Sequence, residues 1–421
     1  MNLKSYQSWA ALLASALLPA GCRRAPDLAA EIQGIRAIDN HGHPVRAVAN
    51  DRDFDALPVD NMEPSSEPLM MRPGAAAVKE AALALFGRKP KQGVMQEKGD
   101  GYPAWVLDQM GVDVMLANRV EMGSSIQPPR FRWVPYADAL LFPLDNSKLA
   151  AKNSDRKSFF ALEDVLLRRY LESAGLKAPP ATLAEYLSRV VTPTLERHKE
   201  GGAVAEKFEA AYLRSLAFDE VDRTAADRVY RQFAAKAAPP DAEYKVLQDY
   251  LFRYVAAECG RLGMAVHLHT MSGSGSYFDV GGGNPLLLES VLNDPGLRKT
   301  RFVMLHGGWP FTRQITALLE KPNAYLDYST QSLLLAPATL AGIVREWLEW
   351  VPEKVMFGTD AYPYSNELGW EESGWIAARN GRQALTLALT AMMRDGEISR
   401  DRALELARMV LRENARGLYG L

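Results

Sequence analysis

The sequence predicts an α/β protein folded as a (β/α)8 TIM barrel with helical insertions after the early strands, on three observations. Eight short apolar runs recur along the chain, amphipathic helical stretches separate the last five, and five of the six histidines stand at the ends of such runs. The runs fall at 34–40, 112–120, 132–141, 203–208, 264–269, 301–306, 323–328 and 354–359. Helical periodicity between the later ones is clearest over 241–262, 285–292, 312–320 and 338–350, the rhythm of βαβ units around a parallel sheet. Eight such units close naturally into a barrel whose active site lies at the C-terminal strand ends, so polar residues there are expected to carry the chemistry.

Composition supports this size of fold. The 421 residues are 48% hydrophobic and 24% charged, enough for a large core and unlike a disordered or collagen-like chain. Lys plus Arg (49) nearly cancels Asp plus Glu (51), so no basic excess points to nucleic acid and the expected partner is a small molecule. The two cysteines, Cys22 and Cys259, are too few for a disulfide framework or a cysteine zinc site. One elaborated barrel over 30–421 accommodates the length, with homo-oligomerisation left open.

The first residues read as an address. Lys4 precedes an apolar stretch, 9–18, and then Pro19-Ala20-Gly21-Cys22, which resembles a bacterial secretory signal ending in a lipoprotein box. On that reading residues 1–22 are a signal segment, Cys22 is acylated, and the protein is exported, periplasmic or tethered to a membrane. The alternative is a short amphipathic helix on a cytoplasmic enzyme; the apolar run is too short for an ordinary membrane span of about 20 residues.

Two insertions interrupt the barrel rhythm. Residues 44–104 are rich in Pro, Met and charge with a helix near 75–86, and 145–202 carry helices near 162–173 and 183–198. Both follow strand ends on the catalytic face, as either a cap over the pocket or a solvated decoration. From 372 onward the chain is helical, with a charged amphipathic segment over 399–412.

The histidines carry the functional expectation. His41 and His43 form one His-x-His pair and His267 and His269 another, where random placement of six histidines gives about 0.09 such pairs per chain. Strand residues i and i+2 share a face, so His41 and His43 are expected to project inward together and bind one ion. Asp360, at the end of the last run, is brought beside the first strand by barrel closure and offers an anionic ligand. His198, in a charged helix, is expected to be solvated.

Asp39-Asn40-His41-Gly42-His43, Val266-His267-Leu268-His269-Thr270, Leu305-His306-Gly307-Gly308 and Phe357-Gly358-Thr359-Asp360 resemble, in order and spacing, the amidohydrolase superfamily. The resemblance is to its amidohydrolase-related branch, which includes domains associated with glutamine-synthetase-like proteins and metal-dependent decarboxylases of aromatic and muconate-type acids. Asn284-Pro285-Leu286-Leu287 and the stretch from Asn414 to Tyr419 also look like that branch. It implies His41, His43 and His269 as metal ligands, Asp360 as ligand or general base, and His306 as a further ligand or catalytic acid. His267 shares the inward face of its strand but is implied only behind the metal shell.

The fourth run adds Lys207, with Tyr212 and Arg214 downstream, similar to the glutamine-synthetase-associated group. A carboxylated Lys207 would bridge two metals, an unmodified one would anchor an anionic substrate, and an exposed lysine at a strand end is the structural alternative. Arg214 and Tyr212 would suit a substrate carboxylate. Gly273, Gly275, Gly281, Gly282 and Gly283 do not form a dinucleotide fingerprint and read as a mobile active-site loop. Trp309 is placed to wall the pocket, Trp347 and Trp350 to fill the core, and Ser272, Ser274 and Ser276 lack the orienting acid of a serine triad.

Together these imply a divalent metal, zinc first and manganese second, as one or two ions activating water. The expected reaction is hydrolysis of an amide, ester or lactone in a small substrate, carboxylate-bearing if Lys207 and Arg214 face it. Non-oxidative decarboxylation or isomerisation on the same barrel, and a non-catalytic metal-binding lipoprotein, are the alternatives.

Overall fold

The computed structural model describes residues 27–421, apart from 49, 59–61, 64, 65, 73 and 235. The signal and lipidation expectations, Cys22 included, lie outside the described residues. The eight expected strands are present as β1 (Ala37–Gly42), β2 (Val112–Asn118), β3 (Phe131–Val134), β4 (Ala205–Phe208), β5 (Ala265–His269), β6 (Arg301–Leu305), β7 (Ala324–Asp327) and β8 (Val355–Met356).

All strand pairings are parallel, in the orders β1-β2-β3 and β4-β5-β6-β7-β8. Bridges between Trp133 and Ala203 and between Tyr136 and Lys207 join the two sheets on one side, and a bridge between Gly42 and Ala361 joins them on the other. The second seam is reinforced by backbone bonds from Asn40 to Phe357, Asp360 to His41 and His43 to Ala361, of 2.9, 2.8 and 2.8 Å. The sheet therefore closes on itself, leaving no open edge.

Closure dictates a filled interior. Ile38, Leu116, Val134, Ala205, Ala265 and Val303, each from a different strand, form one buried cluster with Ala415 and Leu418 of the C-terminal helix Asn414–Tyr419. That helix seals the barrel floor, opposite the C-terminal strand ends. The larger core lies between strands and outer helices such as Asp241–Leu262, Pro337–Trp350 and Trp370–Arg394.

Several boundaries depart from expectation for local reasons. Gly34 ends a helix, Leu28–Gly34, whose first turn is capped by Asp27 accepting from the Ala29 N–H, so β1 starts later. The third run stops as a strand at Val134 and turns into a short 3-10 helix, Asp138–Leu141. Asn153 caps a helix Ser154–Ser173 that starts well before the expected 162. Trp347 is fully buried, but Trp350 is exposed because it falls on the outer face of its helix. His198 is buried too, with Nδ1 3.0 Å from Glu206 Oε1 and its ring between Trp133 and Tyr170.

The two insertions sit differently. Leu57, Met62, Glu63, Pro68 and Met71 are among the residues lining the cavity at the barrel mouth, whereas nothing from 145–202 does. The second insertion braces the first: Asp155 accepts from the Glu63 N–H at 2.6 Å, and Glu63 accepts from the Ser154 hydroxyl at 2.9 Å. Among the described residues no helix is long and apolar enough to cross a membrane.

Candidate metal centre

The end of β1 begins the site. Its register against β2 shifts between Asp39 and Gly42. Ile38 thus belongs to the floor cluster and Asn40 bonds inward to Asp327, yet His41 and His43 both reach the cavity. A regular strand would not present residues 38, 40, 41 and 43 to one interior. Asp39 holds the irregularity: its carboxylate accepts from the His41 N–H (3.2 Å), the Thr359 N–H (2.9 Å) and the Thr359 hydroxyl (2.5 Å). Burial pushes its pKa up to about 7, against the pull of those donors.

Asp360 stands across the seam. Its Oδ1 is 3.1 Å from His41 Nε2 and 3.3 Å from His43 Nε2, and its Oδ2 accepts from the Thr330 hydroxyl. Ligand atoms of His41, His306 and Asp360 all lie within 4.8 Å of one another. His306, Thr330 and Asp360 have φ of 65°, 59° and 54°, three of the four non-glycine residues with positive φ among those described. Such backbone costs about 1–3 kcal/mol per residue, and its concentration here points to a site imposed by the surrounding structure.

The outer partners set which ring nitrogen faces inward. His43 Nδ1 lies 2.9 Å from the Phe54 carbonyl, which can only accept, so Nδ1 carries the proton and Nε2 the lone pair. Ser329 donates to Asp327 at 2.5 Å and Thr330 donates to Asp360, so both hydroxyls accept from His306 Nδ1–H, at 2.8 and 2.9 Å. His306 Nε2 therefore also presents a lone pair. His41 Nδ1 is engaged by the Asn118 carboxamide, and its buried Nε2, though 3.1 Å from Asp360 Oδ1, is not aligned to hydrogen-bond it. His269 directs Nε2 to the Met271 carbonyl at 3.1 Å while its ring packs 4.7 Å from that of His306.

Electrostatics favour neutral imidazoles at His41, His269 and His306. Burial, aided by the Lys207 charge, holds His41 well below the ordinary histidine range and His269 at about 3, and burial also depresses His306. His43 is raised: burial opposes this, but the nearby Asp360 carboxylate and the charge of Asp55 prevail. Burial would raise Asp360, but His41, His43 and His306 keep its carboxyl well below the usual range.

A cavity of about 580 Å³ opens over this centre. It brings together His41, His43, His269, His306, Lys207 and Asp360, with Tyr212 and Trp309 as walls. Lys207 is buried rather than exposed, its Nζ 3.0 Å from Glu209 Oε1. Arg214 does not reach the cavity. Its guanidinium bonds Asp249 (2.6 Å), Gln248 (3.1 Å) and the Ala217 carbonyl (2.8 Å) and stacks on Phe218, so it serves packing. His267 lies below the centre with Nε2 2.7 Å from the Tyr419 hydroxyl.

Sequence reasoning missed Thr330, Ser329, Asn118, Glu209 and Asp55. Ser329 and Thr330 lie two and three residues past β7, so the rule that chemistry sits at strand ends already pointed to them. The Phe54 carbonyl has no side-chain signature at all.

The donor set fits a divalent cation: an orphaned buried Nε2 on His41, lone pairs on His43 and His306, and an ionised carboxylate between them. Fold and site together define a (β/α)8 barrel enzyme with a histidine–aspartate metal centre at its mouth. The family described as Amidohydrolase matches residues 180–421, more than half of the chain, and the protein belongs to that family. The matched span contains Lys207, His269, His306 and Asp360 but not His41 or His43.

Protein fluG of Emericella nidulans is 28% identical over 230 residues, 52% of this chain but only 26% of that protein, so the likeness spans about a quarter of the relative. Among solved structures, a protein from Lactobacillus casei described as a metal-dependent hydrolase matches with a TM-score of 0.66 at 16% identity, over 94% of this chain and 97% of that one. Uronate isomerase from Thermotoga maritima matches at 0.58 and 14%, over 93% and 96%, and glucuronate isomerase from Caulobacter crescentus at 0.59 and 12%, over 93% of each. At these identities the likenesses show the fold alone.

Proposed function

We propose that the protein hydrolyses an amide, ester or lactone bond of a small substrate, with one divalent ion held by His41, His43 and Asp360 and completed by His306 and His269. The observation that carries this reading is the Asp360 carboxylate, ionised and set against the Nε2 atoms of both His41 and His43. Imidazole and carboxylate donors suit zinc first and manganese second. When bound, such an ion polarises a carbonyl oxygen and acidifies a water toward neutral pH.

The remaining work belongs to the chain. Asp360 takes the proton of the attacking water and returns it to the leaving nitrogen or oxygen as the tetrahedral carbon collapses. Thr330, donating to Oδ2, fixes the carboxylate so that Oδ1 faces the Nε2 atoms of His41 and His43. His306 acts as a ligand rather than an acid, since its proton is committed to Ser329 and Thr330. Lys207 acts as an ammonium: a carboxylated lysine would set two anions side by side at Glu209, which favours one ion over two. Tyr212 and Trp309 bound the substrate, and Leu57, Met62, Pro68 and Met71 add apolar walls that limit water around it.

The test is metal analysis of the purified chain beside Asp360→Asn, followed by turnover of an amide, ester and lactone panel in ¹⁸O-labelled water. One equivalent of metal and label in the product carboxylate support the reading. Carbon dioxide release or isomerisation without label would move the protein to the decarboxylase or isomerase chemistry that the same fold supports. Equal metal binding with no turnover by either form would leave a binding protein. We further propose export and a membrane tether through Cys22, on the strength of Lys4 and the apolar 9–18 segment; labelled fatty acid incorporated by wild type but not by Cys22→Ala tests it.

A further inference from the structure

We propose that Tyr419, on the helix sealing the barrel floor, is a positioning residue that fixes the tautomer of His306 through Asn40, Asp327 and Ser329. The inference rests on the reading of His306 as a metal ligand, and its geometry is a continuous chain of hydrogen bonds that runs from the half-buried Tyr419 into the fully buried interior. His267 Nε2 lies 2.7 Å from the Tyr419 hydroxyl, and that hydroxyl donates to Asn40 Oδ1 at 2.6 Å. Asn40 Nδ2 donates to Asp327 Oδ2 at 2.6 Å, and Asp327 Oδ1 accepts from the Ser329 hydroxyl (2.5 Å), the Ser329 N–H (3.0 Å) and the His306 N–H (3.0 Å). Ser329 Oγ then meets His306 Nδ1 at 2.8 Å. Asn40, His267, Asp327 and Ser329 are fully buried, so water cannot substitute for a missing partner.

Each link has a forced direction. A carboxylate accepts only, so the Asn40 amide must turn its NH2 to Asp327 and its oxygen to Tyr419. The Tyr419 proton is thereby spent on Asn40, and His267 must donate from Nε2, which agrees with its Nδ1 having no partner. The Ser329 proton is spent on Asp327, so Ser329 can only accept from His306 Nδ1–H. The chain thus has one polarity from floor to mouth, and it leaves the His306 Nε2 lone pair facing Asp360 and His41. Without the Tyr419 hydroxyl, Asn40 Oδ1 is an unpaired buried acceptor and the carboxamide is no longer held. Asp327 then loses the Nδ2 donor that fixes its carboxylate plane, so Oδ1 is no longer held in line with the Ser329 hydroxyl, and Thr330, tied to Asp360, is left as the one firmly directed acceptor of His306 Nδ1–H.

The test uses the full chain as Tyr419→Phe, Asp327→Asn and His267→Leu. Imidazole ¹⁵N–¹H correlation in the metal-free protein reads the His306 tautomer, and chelator competition reads zinc affinity. Wild type should show a single Nδ1–H form. Tyr419→Phe should show a mixture and bind zinc about tenfold more weakly, with Asp327→Asn moving both further. His267→Leu disturbs the same floor but leaves the donor to Asn40, so its His306 signal should stay as in wild type. An unchanged tautomer and zinc affinity in Tyr419→Phe would overturn the proposal, as would equal shifts in Tyr419→Phe and His267→Leu, which mean floor packing. If Tyr419→Phe does not fold, an unchanged tautomer in Asp327→Asn overturns it and a mixture supports it. A tautomer that shifts in a protein that binds no zinc would sustain the relay and refute the metal reading.

Discussion

Asp51→Asn should lower the melting temperature at pH 7 by about 3–6 °C, and that loss should vanish in acid. Asp51 is clamped by Arg119, whose Nη1 and Nη2 donate to its two oxygens at 3.0 and 2.8 Å, and by the Arg46 N–H at 2.8 Å. The Asp51 and Arg119 side chains are wholly buried, so the substitution leaves the guanidinium without its counter-charge and turns an NH2 group toward it. Breaking a buried pair from one side costs about 3–5 kcal/mol, and a chain of this length loses about 0.9 kcal/mol per degree near its melting point. Burial raises the Asp51 pKa, but the bonds and charge of Arg119, with those of Arg46, lower it overall from the ordinary 3.8. Its contribution is therefore full above pH 3.8 and lost as pH falls through the folded value. Melts from pH 3 to 8, with Arg119→Met and the double variant, separate the pair from its parts. A gap that is absent at pH 7, or equally wide at pH 3, would refute this account. The clamp also anchors the loop bearing the Phe54 carbonyl that orients His43, so zinc affinity should fall in the same variant.

Gly307→Ala should cost about 2–5 kcal/mol and loosen His306. Gly307 has φ +55°, and an added Cβ would stand 2.5 Å from Trp347 Cη2 and 2.8 Å from Gln331 Nε2; thermal melts and zinc occupancy check it. Lys207→Met should destabilise by about 3–5 kcal/mol by stranding Glu209, and the double variant with Glu209→Gln should recover most of it in a denaturation cycle. His41→Ala combined with His43→Ala should abolish stoichiometric metal in elemental analysis while the protein still melts cooperatively, since both side chains face the cavity.

The sequence disclosed what depends on strand ends. His41, His43, His269, His306 and Asp360 were legible because each sits where an apolar run stops, and the barrel rule converts that position into a shared cavity. Lys207 was legible as inward-facing, though its partner Glu209 was not. What stayed hidden depends on the backbone or on distant partners. The register shift in β1 follows from how Asp39 grips Thr359, 320 residues away. Arg214 resembled a substrate anchor until Asp249, on another element, claimed its guanidinium. His198 lay on a helix of high charge, and only the packing of Trp133 and Tyr170 made its face an interior one.

The seam between β8 and β1 has a consequence for the order of assembly. His41 and Asp360 stand at opposite ends of the chain, and the floor on which β1 and β8 rest is completed by residues 414–419. The two imidazoles at the end of β1 therefore meet the Asp360 carboxylate only once the β8 end docks beside them. Completion of the candidate donor set thus waits on closure of the barrel at this seam. Without helix 414–419 the floor cluster on which β1 and β8 rest would be left open beneath that donor set.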